Sequence, residues 1–375
     1  MKKKLSALIL AAAITAVFTA CSSGGGSTAA TTAATTATEA AVSEKPALEQ
    51  TTFKIGHLNS TAHLLAFVAE KEGFFKEEGL DVELTLFASA GELANGLTAG
   101  QLDAAFIGSV PAITFQSQGQ PLTIFGGAMT NGHGYVVKPE FVKDLADDKI
   151  DISVLKGLRV ATTKPSVQDL ELQILLTEAG LSYSTEPGAA DVQIVYFDSQ
   201  KDAYNAMAGA EIDAVSVYSP YASRAVSEGY KVIYYCSEEE EFNNQPCCRQ
   251  VAATESLSAK PNTFTAFERA LIKAHKFSQE NKEKTIDDVG AYIQIDRNLI
   301  ETEVYGGYAQ SVPDPDKTAT LALKKSIVDF GYTNDYDIES VYDTSIYEKA
   351  LDSLVGDYPE DEVYAKLSTR FQGAN

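Results

Sequence analysis

DVELTLFASAGELANGLTAGQLDAAFIGSVPA, residues 81–112, lies over DVQIVYFDSQKDAYNAMAGAEIDAVSVYSPYA, residues 191–222, without a gap. Asp81/Asp191, Val82/Val192, Phe87/Phe197, Ser89/Ser199, Asn95/Asn205, Asp103/Asp213, Ala104/Ala214, Ser109/Ser219 and Ala112/Ala222 are identical. In each copy an alternation of period two gives way to helical spacing, Leu93 with Leu97 or Ala203 with Met207. A small residue or glycine ends the helix, and an apolar run then opens on Asp-Ala. The order is strand, helix, strand, twice. Any two right-handed βαβ units share that order, but an ungapped register over both strands and the helix points to duplication. Upstream, FKIGHLNSTAHLLAFVAEKEGFF (53–75) and LRVATTKPSVQDLELQILLTEAGL (158–181) extend the match with small gaps, each a strand, a polar loop with Thr61 or Ser166 placed to cap, and an amphipathic helix. Two similar α/β lobes follow, one over 52–136 and one over 137–249.

The N-terminus, MKKKLSALILAAAITAVFTAC, has three lysines, a short alanine-rich apolar run and small residues before Cys21. This is the pattern of an export signal over 1–20. The stretch FTAC resembles the lipobox of bacterial lipoproteins, which implies acylation of Cys21 and a membrane tether. Residues 21–51 are rich in Gly, Ser, Thr and Ala and read as a flexible linker. No second apolar segment of spanning length follows. The net charge of −22 and the lack of a basic stripe exclude nucleic acid as a partner.

Loops at the carboxyl ends of parallel strands gather on one sheet edge, where ligands bind. Here these are 57–63 and 108–111 in one lobe, and 162–168 and 218–221 in the other. Facing lobes would bring them to one cleft, with helix N-termini favouring an anionic or strongly polar group. The candidate ligand-binding residues are His57, Asn59, Ser60, Thr61, His63, Ser109, Asn131, His133, Thr163, Ser166, Gln168, Tyr218, Tyr221 and Arg249. With no Trp in the chain, stacking falls to Tyr218 and Tyr221. Arg249 has no carboxylate two residues away on either side of its strand and is the candidate clamp for an anion.

The order of lipobox, spacer, FKIGHLNSTAHLLAFVAEKEGFFKEEGLDVEL, GELANGLTAGQLDAAFIGSVPAI and a long helical tail resembles the solute-binding proteins of ABC importers, in the nitrate, taurine, alkanesulfonate and thiamine-precursor branch. The resemblance implies a type 2 periplasmic-binding-protein fold with a hinge and an interlobe cleft. It further implies capture of a small molecule (a sulfonate, carboxylate, nitrate-like anion or pyrimidine thiamine precursor) and delivery to permease and ATPase subunits. Residues 250–375 would return to the first lobe as a strand and helices, with crossovers near 132–137 and PCCRQ (246–250).

Competing readings are a thiamine-pyrimidine synthase-like enzyme and a metal-binding transport lipoprotein. The chain lacks a nucleophile elbow, a phosphate-cradling Gly loop and a CxxC or HxxxH pattern. It is therefore read as a binding protein, not an enzyme, with no cofactor and no resident metal. Convergence of His57, His63 and His133 on a cation needs more assumptions than hydrogen bonding to an organic ligand. Cys236, Cys247 and Cys248 allow at most one internal disulfide, with Cys236 pairing either of the others, or stay reduced.

Overall fold

The computed structural model describes residues 46–375 apart from 147, 148, 239 and 294. The export-signal reading, Cys21 and most of the linker lie outside the described residues. The folded part starts earlier than position 52: Leu48 packs on the core, and Glu49 accepts the Asn262 and Thr263 backbone N–H groups at 3.1 and 2.8 Å. Glu49 thereby caps the helix Pro261–Glu280, whose first N–H groups have no intrahelical acceptor.

Among the described residues the strands are β1 Thr52–His57, β2 Asp81–Leu86, β3 Ala104–Gly108, β4 Leu122–Asn131, β5 His133–Val137, β6 Arg159–Thr163, β7 Tyr183–Ser184, β8 Val192–Phe197, β9 Ala214–Tyr218, β10 Lys231–Tyr235, β11 Pro246–Ala253 and β12 Ala309–Ser311. They form two six-stranded sheets, ordered β12-β4-β11-β3-β1-β2 and β10-β5-β9-β6-β8-β7. The duplicated segments occupy matching places. β1 runs parallel between β2 and β3, and β6 runs parallel between β8 and β9. The helices Ala90–Thr98 and Gln200–Ala208 connect them, capped by Ser89 and Ser199, whose hydroxyls accept the N–H of Glu92 and Asp202. The repeated aspartates explain their identity. Asp103 accepts the Lys54 N–H at 2.9 Å and Asp213 the Arg159 N–H at 2.9 Å, each fixing the start of the neighbouring strand.

The chain leaves the first sheet at Asn131 and Gly132, between β4 and β5, and returns through residues 236–245 to β11. Gly132 has φ +85°, and a Cβ there would lie 2.6 Å from the Met129 side chain, so glycine is required. The two crossings are bonded to each other: the Asn131 N–H and Nδ2 donate to the carbonyls of Gln245 and Phe242 at 2.9 and 2.6 Å. β11 inserts antiparallel between β3 and β4, so Cys247, Cys248 and Arg249 belong to a central strand of the first sheet and not to the crossover itself.

The helix Pro261–Glu280 repeats apolar residues at three and four, and buries Phe264, Phe267, Leu271 and Ala274 against Phe53, Phe75 and Phe125. Each such ring removed from water contributes about 1.5–3 kcal/mol. After the helix Lys317–Asp329 the chain holds the first lobe through Tyr336, whose hydroxyl donates to Gln116 Oε1 at 2.9 Å. It also reaches the second lobe, because Tyr332 donates to Asp169 and accepts Gln173 Nε2 at 2.8 Å.

Candidate functional site

A cavity of about 470 Å³ lies between the sheets. It is lined by the ends of β3, β6 and β9, the starts of β5 and β11, and the loops and first helical turns that follow β1, β2, β3, β6 and β8. Of the residues named from sequence, Ser60, His63, His133, Thr163, Ser166, Gln168 and Tyr218 line it.

Each is held by its local structure. Ser60 caps the turn Thr61–His63 and donates to the Ser219 carbonyl at 2.9 Å; it, rather than Thr61, is the capping residue. Ser166 caps the helix Val167–Glu178, accepting the Asp169 N–H and donating to the Thr163 carbonyl at 2.6 Å. Gln168 reaches Gln200 Oε1 at 3.1 Å and so joins two loops of the second lobe. His63 is buried, and its Nδ1 accepts the Leu58 N–H at 3.1 Å. Burial, with His57 nearby, lowers its pKa to about 3, so the ring is neutral. The proton therefore sits on Nε2, a donor with no partner among the described residues. Burial pushes the Tyr218 hydroxyl pKa upward, which keeps it a donor as well.

The remaining candidates do other work. Thr61 bonds the Ser219 hydroxyl, and Asn59 bonds Tyr221, which stands edge-on to Tyr218, so these residues tie the lobes to each other. His57 packs against Phe67 and Tyr292, with Nδ1 at its neighbour's carbonyl. Ser109 is fully buried at the start of its helix and does not line the cavity. Asn131 joins the crossings. His57, His63 and His133 thus take separate partners.

Arg249 is the main correction. Its guanidinium is buried and faces away from the cavity, with Nε on Thr320 Oγ1 at 3.3 Å, Nη1 on the Cys248 carbonyl at 3.1 Å, and Tyr342 beside it. Side-chain alternation along β11 sends Arg249 under the helix Lys317–Asp329 while its neighbour Cys248 faces the cleft. The anion clamp expected of it is not present.

The candidate disulfide is not formed among the described residues, where Cys236, Cys247 and Cys248 are buried with their sulfurs unbridged. Cys236 donates to Glu171 Oε2 at 3.0 Å, whereas Cys247 stands on the far side of His133, with Sγ 3.2 Å from Nε2. The carboxylate and the ring separate the two sulfurs. Both Cys247 and Cys248 line the cavity. Consecutive strand residues do so because β11 slips register against β4 on either side of Cys248, a bulge that re-aims its side chains.

Sequence reasoning missed the loops 88–92 and 198–200, which face each other across the cavity. Their signal was the identical cap serine in both copies, Ser89 and Ser199. With Ser166, three helix N-termini open on the cavity, each leaving its first N–H groups unclaimed by the cap. Lys164, Glu92 and Asp198 are the charged side chains at its wall.

Two α/β lobes joined by paired crossings around such a cleft are the architecture of periplasmic binding proteins. The nitrate-binding protein NrtA from Synechocystis PCC 6803 superposes with TM-score 0.69 at 18% identity, over 82% of this chain and 90% of that one. The alkanesulfonate-binding protein SsuA from Xanthomonas axonopodis pv. citri superposes with TM-score 0.66 at 17% identity, over 79% and 99%. Residues 46–293 match the model of the NMT1-like family, and the chain belongs to that family. YtlA of Bacillus subtilis, named as a binding protein, is 25% identical over 255 residues, which cover 66% of this chain and 73% of that one.

Proposed function

We propose that this protein is the solute-binding component of an ABC importer, tethered outside the cytoplasm through lipid on Cys21, that captures a small polar or anionic organic molecule and delivers it to a permease. The observation that carries this reading is the interlobe cavity with three helix N-termini opening on it. Backbone N–H groups and partial positive charge from three directions favour a carboxylate, sulfonate or similar group. The names of the structural neighbours, nitrate- and alkanesulfonate-binding proteins, support the same class. Ser60, His63, Thr163, Ser166, Gln168 and Tyr218 would supply the directional hydrogen bonds, with the Nε2–H of His63 meeting an acceptor on the solute. Mass spectrometry of solute retained on native purification, followed by calorimetry with the identified compound, tests the reading. A chain that retains nothing and binds no member of a sulfonate, carboxylate and pyrimidine panel would contradict it. Cys21→Ser is expected to shift the folded protein from membrane to soluble fraction.

A further inference from the structure

Three side chains stand in line from the helix Val167–Glu178 to the floor of the cavity. Both oxygens of buried Glu171 lie within 3.2 Å of His133 Nδ1. His133 Nε2 lies 3.2 Å from Cys247 Sγ, which lies 3.2 Å from Cys248 Sγ. Gln245 Nε2 and Cys236 Sγ, each 3.0 Å from a Glu171 oxygen, hold the carboxylate in place. With Nδ1–H given to Glu171, Nε2 keeps its lone pair for the Cys247 proton. The arrangement is linear, not convergent: among the described residues no three His, Cys, Asp or Glu side chains are placed to hold a metal ion. A line of carboxylate, imidazole and thiol suits proton transfer, and capture of a solute by hydrogen bonds alone makes no use of it.

We propose that Cys247 is a nucleophilic thiol, with His133 as its base and Glu171 positioning the ring, and that it exchanges with a small-molecule disulfide admitted to the cleft. The Sγ–H bond breaks as the proton passes to His133 Nε2. The sulfur forms a bond to one sulfur of R–S–S–R′, the ligand's own S–S bond breaks, and R′S⁻ leaves as R′SH with the proton from His133. The ligand is the oxidant, and no other co-reactant is required. Cys248 suits this electrophile: its sulfur, 3.2 Å from that of Cys247, can attack the outer sulfur of the Cys247–S–S–R adduct and take over the R–S group, returning Cys247 as the thiol. The Cys248 contact and burial raise the pKa of Cys247, so in the resting cleft the thiol keeps its proton until a base removes it.

The test uses the reduced full chain and limiting 2,2′-dithiodipyridine, reading thiopyridone release and mapping the adduct by mass spectrometry. Cys247 is expected to be modified before Cys236. His133→Asn should slow the reaction roughly a hundredfold and Glu171→Gln roughly tenfold or more, with partial rescue by Glu171→Asp. Should a variant not fold, the parent's pH profile decides. A relayed thiol reacts at a rate that levels off once its base is neutral, below the range in which the thiol itself ionises, and an unassisted one gains about tenfold per pH unit well into the alkaline range. Modification of Cys236 first, equal rates in folded His133→Asn, or the unassisted pH profile would each overturn the proposal. Solute binding measured in parallel on Cys247→Ser distinguishes its failure from failure of the transport reading.

Discussion

Asp169→Asn is expected to remove one contribution that lowers the stability of the parent protein on going from about pH 4 to about pH 6. Asp169 is fully buried; it accepts from Tyr332 and from Gln173 Nε2 at 3.1 Å through one oxygen, and its other oxygen has no hydrogen-bond partner among the described residues. Burial raises its pKa to about 6, against the opposing effect of the Tyr332 hydrogen bond. The folded chain therefore holds a proton that the unfolded chain releases near the ordinary carboxylate value of about 4. The stabilisation is fully present below that value and is lost as pH rises through about 6, a change on the order of 3 kcal/mol. Asparagine does not titrate, so this contribution to the slope vanishes. Its Oδ1 can still accept from Tyr332 and Gln173, while its Nδ2 takes the place of the unpartnered oxygen, at a cost of about 1–3 kcal/mol. The slope, not the absolute stability, is the clean readout. Urea unfolding of parent and variant across this range measures it. Equal slopes in the two proteins would refute the reasoning.

Other substitutions probe the fold and the corrected site. Gly132→Ala meets both a positive φ and the Met129 side chain, and should lower stability by more than about 1 kcal/mol in chemical denaturation. Phe267→Ala removes a ring stacked on Phe53 and Phe75 and should cost about 3–5 kcal/mol by the same assay. Arg249→Met replaces a buried guanidinium whose Nη2 has no partner among the described residues; calorimetry should show unchanged affinity for the retained solute, and the melting temperature should hold or rise.

The frame of the molecule was legible because duplication writes the same physical instruction twice. Ser89 and Ser199 each cap a helix, Asp103 and Asp213 each pin a strand start, and the gapless offset shows both pairs without any structure. The cavity was legible in part, through the rule that parallel strands gather their carboxyl ends. It does not say which loop residues point inward. Asn59, Thr61 and Tyr221 sit in the right loops yet bond across to the opposite lobe, a choice made by tertiary packing. Arg249 failed for a related reason. Its strand was read as the crossover closing the second lobe, whereas it lies at the centre of the first sheet, and which face of that strand meets the cleft depends on a bulge and on a helix that begins at Lys317, far along the chain. Glu171 was the least visible. It lies within a helix as an ordinary polar residue, and only the packing of β5 and the 236–245 crossing around it gives it three donors.

The bonded pair of crossings also sets a mechanical scale. Any rotation of one sheet against the other turns about the place where Asn131 holds Phe242 and Gln245, and displacement grows with distance from that axle. Ser89 and Ser199 stand on opposite lobes and far from either crossing along the chain, so their separation would change with such a rotation. His133 and Cys247 each stand within two residues of a crossing, so their separation would hardly change, and the floor of the cavity would keep its geometry whether the mouth stands open or shut.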